Sequence, residues 1–190
     1  VTGLTVLGIM GEATKLTAEE SRTYVKQVLA RVAGRVPVVV GASAAGFAPM
    51  KELTQSVMDL GASGVMVPYV NTADEARAAV SAMRYPPHGT RGVAKFNRGA
   101  GFGGDFEDYY LHAHERLLGV LQIETPEAVA NAEEIAAVDG ADVMFVGPTD
   151  LSYNMGMRDQ LERPEFVAAL RRVADAARKH GKAAGILVHS

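Results

Sequence analysis

Apolar positions in this chain come in blocks rather than scattered singly. Six short runs are apolar almost throughout: residues 4–10, 36–41, 64–69, 118–123, 143–146 and 184–188. Continuous apolar runs of this length predict strands covered on both faces, as in a parallel sheet. The segments between them carry a helical period. Tyr24, Val25, Val28, Leu29 and Val32 form one apolar stripe, and Phe166, Leu170, Val173 and Ala177 form another. Helix starts are marked as well. Thr17 with Glu20 and Thr72 with Glu75 read as capping boxes, and Thr125-Pro126 places a cap before a proline at the first helical position, a part that Pro164 also fits. Gly34, Gly61 and Gly181 stand where helices should stop.

Strands alternating with helices predict an α/β fold, a TIM-barrel-like (β/α) parallel barrel. Six recognisable strands are two short of the eight that close such a barrel, so it reads as incomplete: strands are missing, or the sheet is open, or another copy completes it. Open edges invite pairing, which predicts a homo-oligomer. The rhythm breaks over residues 84–108, where Pro86-Pro87 and a series of glycines predict a long excursion, functional or disordered. The whole of residues 1–190 is expected to form a single barrel domain.

Composition narrows the function classes. The chain is 48% hydrophobic and 22% charged with a net charge of −3, which leaves no basic footprint for nucleic acid or an anionic membrane. No apolar run approaches the ~20 residues of a membrane span. The N-terminus lacks a charged segment followed by an apolar core, so no signal peptide is expected and the cytoplasm is the default location. The absence of cysteine excludes disulfides, thiolate catalysis and Cys-ligated zinc.

The candidate chemistry lies at two strand ends. Gln122 and Glu124 are two residues apart and share one face of a strand. Asp150 follows the run 143–146 and a Gly147-Pro148 break, so it too sits just past a carboxyl end. Two carboxylates at one rim of a parallel sheet suit a divalent ion with hard oxygen ligands, Mg²⁺ or Mn²⁺ rather than zinc. The bland alternative is a pair of helix-capping or surface acids. Arg91 reads most simply as a structural loop arginine. His88 is a loop candidate for acid–base work, whereas His112, His114, His180 and His189 have no zinc-ligand spacing. Glu12 ends the first apolar run and could face the rim. None of the six lysines, Lys15, Lys26, Lys51, Lys95, Lys179 and Lys182, lies inside an apolar strand, which speaks against imine chemistry.

Several ordered motifs resemble a known family. Gly64-Val65-Met66-Val67-Pro68-Tyr69-Val70, Tyr85-Pro86-Pro87-His88-Gly89-Thr90-Arg91-Gly92, Gln122-Ile123-Glu124-Thr125, Val146-Gly147-Pro148-Thr149-Asp150-Leu151-Ser152 and Gly181-Lys182-Ala183-Ala184-Gly185-Ile186-Leu187 look like the metal-dependent 2-oxo-acid aldolases of the HpcH/HpaI family. The resemblance covers residues 62–190. It implies a (β/α)8 barrel, an oligomer, Mg²⁺ or Mn²⁺ held by Glu124 and Asp150, and a pyruvate-like 2-oxo acid handled through its enolate. It further implies that Gln122, Gly147, Thr149 and Asp150 line the substrate site, with backbone N–H groups of Thr149 and Asp150 on the substrate carboxylate.

Residues 1–61 resemble a different family. Gly3-Leu4-Thr5-Val6-Leu7-Gly8-Ile9-Met10-Gly11-Glu12, Leu16-Thr17-Ala18-Glu19-Glu20 and Val36-Pro37-Val38-Val39-Val40-Gly41 look like the dihydrodipicolinate synthase/N-acetylneuraminate lyase family, with Ile9 and Met10 in place of its usual hydroxyl pair. The chain therefore reads as a hybrid barrel joined near Gly61, by natural fusion or by design. At the strand ends where the aldolase family carries a Glu-His pair and an arginine, this chain has Gly11-Glu12 and Val40-Gly41. Its general base and enolate-stabilising cation thus have no counterpart, and the catalytic residues stay unassigned. A non-catalytic barrel scaffold is the alternative to an aldolase.

Overall fold

A computed structural model describes residues 2–8, 15–43 and 47–188, with the side chains of Phe47 and Ala48 excepted. Strand and helix alternate as the apolar blocks predict: β1 (Leu4–Val6), α1 (Ala18–Val32), β2 (Val38–Gly41), α2 (Phe47–Asp59), β3 (Gly64–Val67), α3 (Ala73–Met83), a 3₁₀ turn (Gly101–Gly103), α4 (Phe106–Arg116), β4 (Leu118–Ile123), α5 (Pro126–Ala130), α6 (Ala132–Ala136), β5 (Val143–Val146), α7 (Pro148–Asn154), α8 (Pro164–Lys179) and β6 (Ala183–Ile186). They pack as two compact units, one of residues Val1–Met66 and Ser81–Leu118, the other of Val67–Val80 and Gly119–Ser190.

In the first unit β1, β2 and β3 pair in parallel and in chain order, Leu4 opposite Val38 and Val39 opposite Gly64. Val38, Val40, Val65, Val57 and Met58 are buried between the strands and their helices. Each such side chain stabilises the fold by roughly 1.5–3 kcal/mol. The capping box at the start of α1 is closed in both directions: Thr17 Oγ1 accepts from the Glu20 N–H at 3.2 Å, and Glu20 accepts from the Thr17 N–H at 2.8 Å. Ala33 and Gly34, both left-handed, end that helix. Excursion 84–108 is folded rather than disordered. Asn97 holds its turn by accepting from the Ala100 N–H at 2.7 Å and donating to the Ala94 carbonyl at 2.9 Å.

In the second unit β4, β5 and β6 pair in parallel, Val120 opposite Val143 and Val143 opposite Ala183. Leu121, Ile123, Met144, Ile135, Leu151 and Phe166 make its core. Thr125 caps α5 by accepting from the Ala128 N–H at 3.0 Å, with Pro126 at the first helical position. Pro164 takes the same position in α8.

Three expectations change. The first strand stops at Val6 because Leu7 turns left-handed with φ 56°, and residues 9–10 lie outside the described residues. The third stops at Val67, since Pro68 offers no donor and Tyr69 is left-handed. β1 and β6 are largely exposed, whereas β2 and β3 are buried almost throughout, so the expectation of two covered faces fails for those two strands. Among the described residues no helix is long and apolar enough to cross a membrane.

Candidate active site

β-Sheet register brings the site together. Ile123 at the end of β4 pairs with Val146 at the end of β5, so the next residues, Glu124 and Gly147, come side by side at the carboxyl ends of two parallel strands. Ligands in parallel α/β folds bind at this end. The fit is close. A Cβ on Gly147 would stand 2.4 Å from Glu124 Oε1, so only glycine leaves the carboxylate its place. The chain then enters α7 through Pro148, and Asp150 falls in its first turn.

Glu124 is fully buried. Its Oε2 accepts from the Tyr69 backbone N–H at 3.1 Å and its Oε1 from the Gln122 side-chain amide at 2.7 Å. Its own carbonyl accepts from Asn154 Nδ2 at 2.9 Å, tying the last residue of α7 back to the β4 exit. Burial pushes the Glu124 carboxyl up from 4.5 to about 7; the Tyr69 hydrogen bond opposes this and the nearby Asp150 charge adds to it. Glu124 is therefore not a capping acid, because Thr125 caps α5, and Asp150 forms no cap either, because the cap position of α7 is Gly147.

Sequence reading missed the residue that joins the two acids. Tyr69 gives its N–H to Glu124 and its hydroxyl to Asp150 Oδ1 at 3.0 Å. Burial raises its phenol pKa, with the two carboxylates adding to the effect. Its backbone is left-handed at φ 52°, a conformation costly for a tyrosine. The surroundings enforce it. Val70 N–H donates to the Gln122 carbonyl at 3.2 Å, Asn71 Nδ2 to the Tyr69 carbonyl at 3.2 Å, and Asn131 Nδ2 to the Asn71 carbonyl at 2.9 Å. The only sequence signal was Pro68-Tyr69 directly after an apolar run; the partners are 55 and 81 residues away.

The remaining candidates fall elsewhere. Arg91 is buried in the first unit, where its guanidinium pairs with Asp59 at 2.6 Å, donates to the Tyr109 hydroxyl at 3.2 Å and lies 4.3 Å from the Tyr85 ring centre. The sequence reading of a structural arginine stands, with the Asp59 carboxylate as its main partner. His88 stacks on His114 at 4.2 Å. Glu12 and His189 lie outside the described residues. Gln122 is engaged with Glu124, Gly147 is buried against it, and Thr149 is exposed in the first turn of α7.

Among the described residues no three His, Cys, Asp or Glu side chains gather as ligands for an ion. The donor set nevertheless fits a hard divalent cation. A fully buried carboxylate with a second acid near enough to raise its pKa, and a glycine leaving room beside its Oε1, are oxygen donors such a shell could use. Mg²⁺ characteristically takes one or two carboxylates and completes its shell with substrate and water oxygens.

A parallel (β/α) fold with one acid at a strand exit and a second in the helix turn after the neighbouring strand defines the class of protein. The chain belongs to the HpcH/HpaI aldolase/citrate lyase family, whose sequence profile matches residues 15–190. That match reaches back through most of the segment resembling the dihydrodipicolinate synthase family. A hydroxypyruvate/pyruvate aldolase of Delftia acidovorans is 47% identical over 135 residues, 71% of this chain and 50% of that protein. A 2-keto-3-deoxy-L-rhamnonate aldolase of Escherichia coli is 40% identical over 137 residues, 72% of this chain and 51% of that protein. A solved HpcH/HpaI aldolase/citrate lyase family protein from Burkholderia cenocepacia superposes with a TM-score of 0.76 at 31% identity, covering 90% of this chain and 66% of that one. The fold is thus TIM-barrel-like with six strands among the described residues. The chain spans about half the length of the aldolases it matches.

Proposed function

We propose that this chain belongs to a divalent-metal-dependent carbon–carbon lyase that cleaves or forms a bond next to a pyruvate-type 2-oxo acid. One observation carries the reading: a fully buried Glu124 at the exit of β4, with Asp150 in the first turn after the paired strand β5 and the Tyr69 hydroxyl and N–H spanning the two acids. Named relatives act on pyruvate, hydroxypyruvate or a keto-deoxy sugar acid, which supports a 2-oxo acid substrate. Glu124 and Asp150 would hold Mg²⁺ or Mn²⁺. Such an ion supplies Lewis acidity toward the 2-oxo group.

The protein's own part is orientation. Gln122 and the Tyr69 N–H fix the Glu124 carboxylate, and Gly147 leaves it room. The first-turn amides of Thr149 and Asp150 have no helical carbonyl behind them and are available to a substrate carboxylate. No side chain is assigned as general base. The reading also takes residues 1–190 as one barrel-derived domain of hybrid origin, in a cytoplasmic homo-oligomer whose mass light scattering would check.

A second reading, a non-catalytic barrel scaffold, is favoured by the end of β2. There Gly41 is buried, and a Cβ on it would lie 2.3 Å from the Leu7 carbonyl oxygen, so no catalytic side chain can be placed at that position. One experiment separates the two. The lyase reading expects Mg²⁺-dependent exchange of pyruvate methyl protons with deuterium oxide, abolished in Glu124→Ala. Lack of Mg²⁺ uptake at millimolar concentration, or exchange no faster than with Mg²⁺ alone, leaves the scaffold.

A further inference from the structure

Tyr69 combines three properties that do not belong together in a merely structural residue. Its backbone is left-handed, where glycine would be the low-cost choice, and the residue is 44% exposed. Its N–H orients one acid of the pair, and its hydroxyl occupies the other. The donor it places on Asp150 offsets, in neutral form, part of the charge that two neighbouring carboxylates leave uncompensated.

We propose that Tyr69 is a latch on the ion site: its hydroxyl holds Asp150 while no cation is bound and is displaced from that carboxylate when one enters, while its N–H stays on Glu124. The inference rests on the divalent-ion reading of the Glu124–Asp150 pair. It deepens that reading by making an exposed aromatic side chain, rather than a third acid, the element that responds to loading. A side chain this exposed can swing away without opening the core, whereas the N–H bond, made by the backbone, remains. Strain in the left-handed turn is then tolerated because it lets one residue serve both acids.

Two measurements on the full chain test the latch, neither of which uses turnover. The first is Mn²⁺ binding, read from the free-ion signal in electron paramagnetic resonance, for the wild-type chain and Tyr69→Phe. The variant keeps the N–H and the ring but has no hydroxyl to displace, so it should bind Mn²⁺ about three- to tenfold more tightly, the worth of one hydrogen bond. The second is the tyrosine ultraviolet difference spectrum on adding Mg²⁺. The wild-type chain should show a blue shift as a phenol leaves a carboxylate, and Tyr69→Phe should lack it. Equal or weaker Mn²⁺ binding by a Tyr69→Phe chain with native circular dichroism overturns the latch alone, as does saturation of the wild-type chain with no tyrosine signal. A wild-type chain that binds no Mn²⁺ at millimolar concentration overturns the ion reading and the latch with it.

Discussion

Replacing Glu124 by glutamine isolates the cost of its buried charge. In the folded chain burial holds this carboxyl near 7, against 4.5 when exposed. At about 1.4 kcal/mol per pH unit, that difference corresponds to about 3 kcal/mol. The folded state keeps a proton that the unfolded chain has released between those two values, so stability falls as pH rises through the window and the full cost is present above about 7. Glutamine cannot ionise and removes the cost. It also has one acceptor oxygen for the two donors, Tyr69 N–H and the Gln122 amide, a loss of about 1 kcal/mol. Without divalent ions, Glu124→Gln should therefore be more stable than the wild-type chain by about 2 kcal/mol at pH 8.5 and no more stable near pH 4.5. Urea denaturation of both proteins across this range reads the difference, and groups common to both cancel. Two curves that run parallel across the window, or a variant less stable at pH 8.5, would refute the argument that an uncompensated charge sits there. Millimolar Mg²⁺ should stabilise only the wild-type chain at pH 8.5, since the ion supplies the missing countercharge.

Other substitutions test neighbouring claims. Gly147→Ala keeps an allowed backbone (φ −86°) but puts a methyl 2.4 Å from Glu124 Oε1, so it should cost about 1–3 kcal/mol in urea denaturation; a change within about 0.5 kcal/mol would show that Glu124 is free to move. Arg91→Met leaves Asp59 without its cation. Because the Asp59 side chain is 34% exposed, the loss should be about 2–4 kcal/mol, below that of a fully buried pair, and a loss under about 1 kcal/mol would remove the structural role assigned to Arg91.

Local chemistry was readable where its range is short. The capping pair Thr17–Glu20, the Thr125-Pro126 start and the parallel strand–helix rhythm depend on residues three or four apart, or on the apolar content of a single run. The two acids were readable for a related reason: Glu124 directly follows β4 and Asp150 lies in the first helical turn after β5, so the carboxyl ends of parallel strands decide where they lie. Their environment was not. A sequence does not state that Ile123 pairs with Val146, and without that register neither the collision reserved for Gly147 nor the full burial of Glu124 can be inferred. The excursion 84–108 shows both sides. Its prolines and glycines predicted the loop that residues 84–100 form, but not that Arg91 and Asn97 would both reach Asp59 and pin it.

The amino-acid order by itself determined the alternation of elements, their starts and stops, the absence of thiol chemistry and the identity of two acids at strand exits. Tertiary structure alone decided that Tyr69, far from both in sequence, would adopt a left-handed turn and touch each of them. The physical reason is range: capping and periodicity act within a turn of chain. Burial, charge neighbourhood and backbone strain arise only when distant segments are packed against one another.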